Sequence, residues 1–152
     1  INILGDTELV NACTAELVKK LDLTKFDVMV TAEAKSIPLA HSLSAATGKP
    51  YIVLRKSYKL YMGAAIRAES VSITTGQPQV LILDEKDRAL VQGKKVVIVD
   101  DVISTGSTLQ GTRMILDKAG ATVAAETAIF TEGEKSKWLH IVALGHLPLF
   151  TD

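Results

Sequence analysis

The sequence predicts an α/β domain, an open and mostly parallel sheet flanked by helices, and three observations carry that prediction. Val96–Val99 (VVIV) is an uninterrupted β-branched run, the pattern of a central strand buried on both faces. Short apolar runs of strand type alternate with segments of helical spacing along the chain, as in a parallel sheet covered on both sides. A chain of 152 residues, 47% of them hydrophobic, is also long enough to bury a sizeable core as one domain over residues 1–152.

The elements follow in order. Asp6 or Thr7 caps a first helix, in which Leu9, Val10, Cys13, Leu17, Val18 and Leu21 recur at helical spacing. Phe26–Thr31 is a strand-type run, and Glu33–Ser36 supplies a turn. A helix over Ile37–Thr47 has Pro38 in its first turn, where a missing N–H does no harm, and Gly48 at its end. Tyr51–Leu54 (YIVL) is a second buried strand that leads into the cations Arg55, Lys56 and Lys59. Weak periodicity over Ser57–Arg67 predicts a mobile excursion. Ser70–Thr74 and Val80–Leu83, around Gly76-Gln77-Pro78, predict a flexible β-hairpin loop. A short helix over Glu85–Val91, with Asp84, Glu85 and Asp87 as its acidic start, and a turn at Gly93 precede the central run. Beyond it come a helix over Leu109–Ala119 closed by Gly120, a strand over Thr122–Phe130 and a last strand over Ile141–Leu144. No internal repeat or low-complexity tract interrupts this order.

Composition narrows the function classes. Charged residues make up 22% and the formal net charge is zero, so no whole-molecule attraction draws the chain to nucleic acid or to a membrane surface. Cys13 is the only cysteine, which excludes an internal disulfide and a thiolate metal site, and a reducing, cytoplasmic setting is expected. Cys13 itself reads as a small helix-packing residue. No stretch approaches the ~20 apolar residues of a membrane span. No signal peptide is visible, and the chain opens without an initiator methionine, which leaves room for residues upstream.

The chemistry concentrates in Val96–Thr108, VVIVDDVISTGST. Two carboxylates, Asp100 and Asp101, are expected just beyond the end of a buried parallel strand, where open α/β sheets bind ligands. The loop that follows carries the hydroxyls of Ser104, Thr105 and Ser107, a glycine at 106, and Thr108 at the start of a helix. Such a helix start presents unpaired N–H groups and the positive end of a dipole. Gly106 lets the backbone approach a ligand closely, so the segment reads as a phosphate cradle. The lysine of a GxxxxGK[ST] loop is absent, which excludes that nucleotide site. Paired acids beside the cradle suit a diol, or a hydrated Mg²⁺, next to a phosphate.

This string resembles the signature with which type I phosphoribosyltransferases bind 5-phosphoribosyl-1-diphosphate (PRPP), and a likeness to the purine branch extends from about Ile3 to Phe150. The resemblance implies that Asp100 and Asp101 hold the ribose hydroxyls at the catalytic centre, and that Ser104, Thr105, Gly106, Ser107 and Thr108 bind the 5-phosphate. Ala32-Glu33-Ala34-Lys35-Ser36 is similar to the pyrophosphate loop of adenine phosphoribosyltransferases, with Lys35 in place of an arginine and without its two-pronged donor geometry. That loop often holds a cis peptide, expected here at Glu33-Ala34 or Ala34-Lys35. Arg55-Lys56-Ser57-Tyr58-Lys59-Leu60 is similar to the Arg-Lys-x-x-Lys-Leu segment of the same enzymes. Ala34, Lys35, Ser36, Arg55, Lys56 and Lys59 are therefore expected at the pyrophosphate. The family likeness further implies purine salvage with adenine favoured, Mg²⁺ carried on PRPP rather than in a protein cage, a homodimer, and an N-terminal hood that is partial or missing here.

Departures from the family pattern bear on the base. Thr74 stands where adenine enzymes carry a glutamate in the closing loop, and Glu69 is the nearest carboxylate. Ala68–Thr74 looks more like the xanthine enzymes and the related PRPP-sensing purine repressor, so a xanthine-type enzyme and a regulator without transferase activity stand as alternatives. No base-binding residue is identified. His41, His140 and His146 read as packed or surface histidines, not metal ligands. Trp138 reads as cover for a core edge, with base stacking by Trp138–Leu149 as the alternative.

Overall fold

A computed structural model describes residues 2–71 and 78–148. Its main sheet has five strands, all parallel: β1 (Val28–Ala32), β2 (Tyr51–Leu54), β5 (Lys95–Ile103), β6 (Thr122–Glu132) and β7 (Val142–Leu147), in the order β2-β1-β5-β6-β7. Between β2 and β5 the chain forms an antiparallel hairpin, β3 (Ile66–Val71) and β4 (Pro78–Leu83). Four α-helices complete the fold: α1 (Thr7–Lys20), α2 (Ile37–Thr47), α3 (Glu85–Val91) and α4 (Ser107–Lys118).

The unbroken run in β5 is explained by two hydrophobic clusters, one on each face. Val96 and Ile98 pack with Val28, Val30, Leu54, Leu83, Leu109, Ile115 and Leu116. Val97 and Val99 pack on the opposite face with Leu17, Met29, Leu39, Leu43 and Ile129. Alternate side chains of a strand point to opposite faces, so a strand covered twice must be apolar at every position. α1 and α2 thus cover one face, and α4 with the hairpin covers the other.

Local signals set several boundaries. Asp6 caps α1 by accepting the Leu9 N–H at 3.0 Å. Gly48 ends α2 with φ +73°. Asp84 caps α3 through the Lys86 N–H at 3.1 Å. Two strand bounds are corrected. β5 runs to Ile103, so Asp100 and Asp101 lie inside the strand instead of beyond it; β6 extends to Glu132 and keeps offering partners, pairing Val102 with Phe130 and Ile103 with Thr131. β3 starts at Ile66, four residues before the expected Ser70, because Leu83 and Ile82 pair with Ile66 and Arg67.

The segment before β3 makes several side-chain to backbone bonds. The Tyr58 hydroxyl donates to the Gly63 carbonyl at 2.8 Å, Glu85 accepts the Ala64 N–H at 3.1 Å, and Arg88 donates to the Ala64 carbonyl at 3.1 Å. Met62, in a 3₁₀ turn over Leu60–Met62, is fully buried. Paired backbone bonds between Arg55 and Ile82, both 2.8 Å, join the hairpin to the end of β2. The expected hairpin tip, including Thr74, lies outside the described residues.

Candidate active site

The chain leaves β1 for β2 on one side and leaves β5 for β6 on the other, yet β1 and β5 are neighbours. This is the point in an open sheet where crossovers diverge, α2 to one face and α4 to the other, and leave a crevice at the C-terminal ends of the strands. Two adjoining cavities occupy it. One, about 140 Å³, is lined by Asp100, Val102 and the loop Ile103–Leu109. The other, about 440 Å³, is lined by Ala32–Ser36, Lys56, Asp100, Asp101, Val102 and Thr108. Asp100, Val102 and Thr108 belong to both walls, so the acid pair stands where the two cavities meet.

The smaller cavity is built on the start of α4. Gly106 takes the capping position with φ +84°, a left-handed conformation natural to glycine, and no side chain caps the helix. First-turn N–H groups after that of Ser107 are thereby left for a ligand. Thr105 Oγ1 lies 3.1 Å from Ser107 Oγ and accepts the Ser107 N–H at 3.3 Å, which draws the loop into a tight turn. The turn is polar and the space small, which suits a phosphate-sized anion.

The larger cavity is shaped by the turn after β1. The Glu33-Ala34 peptide is cis, at one of the two expected positions. Thr31, fully buried, donates to the Val99 carbonyl at 2.8 Å and lies 2.7 Å from Ser36 Oγ, tying the ends of β1 and β5 to the turn. The Ser36 hydroxyl also reaches the Ala32 carbonyl at 3.1 Å. Its side chain is thus tied into the turn.

Sequence reasoning missed the part played by Glu33. Its carboxylate accepts the Lys56 N–H at 2.7 Å and the Arg55 Nε–H at 3.3 Å. Arg55 also lines a separate cavity beside Asp84 and Asp87. Lys56 and Lys35 are the cations that line the cavity holding the acid pair; Arg55 and Lys59 do not line it. Glu33 lies 22 residues from Arg55 in the chain, so no local signal marked the pairing.

Asp100 and Asp101 are both partly exposed. Burial pushes the Asp100 carboxyl well above the usual carboxylate range, and a hydrogen bond and negative charge from Asp101 add to the rise; the Asp101 N–H and the Lys56 charge oppose it.

The histidines lie apart from these cavities. His146 sits between Thr131 Oγ1 at 2.8 Å and the Gly133 carbonyl at 2.9 Å, while His41 meets the Tyr51 ring edge-on. His140 lies 3.2 Å from Arg113, which grips the buried Glu126. Trp138 packs against the core, and its ring also stands over Gly106, a contact the sequence did not disclose. Among the described residues no group of three or more His, Cys, Asp or Glu side chains is placed to hold a metal, and no helix is long and apolar enough to cross a membrane.

Residues 2–142 match the phosphoribosyl transferase domain family. A hypoxanthine/guanine phosphoribosyltransferase from Methanotorris igneus is 36% identical over 131 residues, which cover 86% of this chain and 67% of that protein. Its counterpart from Methanococcus vannielii is 35% identical over 131 residues, 86% and 66% of the two chains. The chain thus spans about two thirds of the length of these relatives. Among solved structures, adenine phosphoribosyltransferase from Thermoanaerobacter pseudethanolicus matches with a TM-score of 0.79 at 23% identity, covering 95% of this chain and 84% of that one. The enzyme from Giardia lamblia complexed with 9-deazaadenine matches with a TM-score of 0.79 at 17% identity, covering 95% and 82%.

Proposed function

The chain belongs to the phosphoribosyl transferase domain family, and from that premise we propose that it transfers the 5-phosphoribosyl group of PRPP to a purine base, giving the nucleoside 5′-monophosphate and pyrophosphate. What supports this reading above all is the pair of cavities that meet at Asp100. PRPP has a phosphate at one end, a ribose diol in the middle and a diphosphate at the other end. A small anion cradle, an acid pair and a larger cavity with Lys35 and Lys56 follow the same order.

In this reading Ser104–Thr108 hold the 5-phosphate through N–H groups and hydroxyls, while Asp100 and Asp101 accept hydrogen bonds from the ribose hydroxyls. The backbone of Ala34–Ser36, with Lys35 and Lys56, receives the diphosphate. A nitrogen of the base attacks C1 of the ribose as the C1–O bond to the diphosphate breaks; the base nitrogen loses its proton and pyrophosphate departs. Cations placed at the departing oxygens favour charge that develops only in the transition state. Mg²⁺ carried on the diphosphate and water would neutralise the leaving group.

For the acceptor we favour hypoxanthine or guanine over the adenine favoured from sequence motifs. Relatives named for those bases share 33–36% identity with this chain, whereas the adenine enzymes that match in fold share 17–23%. A homodimer is proposed on the family resemblance alone. The test is pyrophosphate release from PRPP and Mg²⁺ with adenine, guanine, hypoxanthine and xanthine in turn. Release with hypoxanthine or guanine is expected. Release with adenine alone would overturn the base assignment, and PRPP binding without release from any base would leave a sensor in place of an enzyme.

A further inference from the structure

We propose that Trp138 is a positioning residue for the phosphate loop, holding Gly106 in the conformation that directs the N–H groups at the start of α4 into the smaller cavity. The proposal rests on the reading of that cavity as a phosphate site.

Trp138 comes from the connection between β6 and β7, about thirty residues beyond the loop it touches. Its orientation is set from elsewhere in the fold. The indole Nε1–H donates to the carbonyl of Glu132, the last residue of β6, at 2.9 Å. The Trp138 carbonyl accepts the Ile141 N–H at 3.0 Å, and the ring packs against the core cluster that includes Ile115 and Leu116. From this fixed seat the ring covers Gly106: a methyl group placed on the glycine would come within 2.8 Å of Cη2 of the indole.

Gly106 has two separate reasons to be glycine, its φ of +84° and the ring against it. A glycine standing free in a loop would explore a wide range of backbone angles, and each departure would turn the adjoining N–H groups away from the anion. A rigid aromatic wall on one side removes that freedom before binding and so lowers the ordering cost of the complex. Trp138 touches no reacting atom in this arrangement, so its effect falls on PRPP affinity and not on the chemical step.

Trp138 is the only tryptophan in the chain, which makes the contact directly observable. The wild-type protein is titrated with PRPP and Mg²⁺, and separately with inorganic phosphate, by calorimetry and by intrinsic fluorescence. The tryptophan emission should change with the same midpoint as the heat. Calorimetric binding with unaltered emission would overturn the proposal, whereas absence of binding in the wild-type protein would instead sink the phosphate-site reading. Trp138→Ala should raise KM for PRPP roughly tenfold, with kcat at saturating PRPP within about threefold of wild type, and Trp138→Phe should restore most of the affinity by returning a ring to Gly106. Wild-type KM in a folded Trp138→Ala protein would refute the role. Should that variant fail to fold, the fluorescence titration and Trp138→Phe still decide it.

Discussion

The backbone N–H of Asp101 donates to Oδ1 of Asp100 at 2.8 Å, so the first acid of the pair is engaged by the chain itself. Burial, followed by the hydrogen bond and charge of the Asp101 carboxyl, raises the Asp100 pKa in the folded protein. A raised carboxyl pKa means that the folded state holds its proton to higher pH than the unfolded state does. The associated stability is complete below the unfolded value near 4 and is lost as pH rises through the folded value. Asp100→Asn, which cannot ionise, should therefore stabilise the protein at neutral pH by about 0.5–2 kcal/mol, with the gain vanishing near pH 4 and below. Urea unfolding across that pH range measures it, and a neutral-pH loss would contradict the account.

Asp101 is partly exposed and lines the larger cavity with Lys35 and Lys56, where we propose that it meets the ribose. Asp101→Asn should weaken PRPP about 10- to 100-fold, the scale of a hydrogen bond to a charged group, with little change in stability. Calorimetry on the folded variant tests this, and wild-type affinity would remove Asp101 from the ribose.

Glu33 is the organiser of the basic segment, through bonds to Lys56 and Arg55. Glu33→Ala should cost about 1 kcal/mol of stability, since the pair is only partly buried, and should weaken pyrophosphate as a product inhibitor several-fold. Inhibition kinetics would show it. Unchanged inhibition would mean that Lys56 is placed without Glu33.

Those bonds also mark where reading the sequence ends. α2, β2 and α3 match their expected bounds to the residue because Pro38, Gly48, Pro50 and Asp84 punctuate them locally. The acid pair, the hydroxyl loop and the cis peptide were likewise visible in short consecutive strings. The length of β5 was not, because Asp100 and Asp101 look like strand ends until β6 supplies partners as far as Thr131. The tie of Glu33 to Arg55 and the seating of Trp138 on Gly106 join residues far apart in the chain, and only the packed sheet brings them together.

Gly63 shows a similar long-range dependence. With φ +60°, it would carry a methyl group into the Glu85 carboxylate. Gly63→Ala should destabilise by about 1–3 kcal/mol, from backbone strain and the collision together. Glu85→Ala in the same chain should recover part of the loss, and strictly additive unfolding energies would show that the two residues are not coupled.

The bond from Thr31 to the Val99 carbonyl spans 68 residues of sequence, and its consequence is temporal. As the chain is synthesised, Ala32–Ser36 and Lys56 emerge well before Asp100, and Gly106 later still. β5 belongs between β1 and β6, so it cannot complete its hydrogen bonding until a strand beyond it has also been made. Closing so long a loop costs entropy that only the finished sheet repays. More than half of the lining of the larger cavity is therefore made long before the cavity itself can form. A nascent chain ending short of Lys95 would contain Ala32–Ser36 and Lys56 but lack the acid pair and Thr108 that complete the cavity.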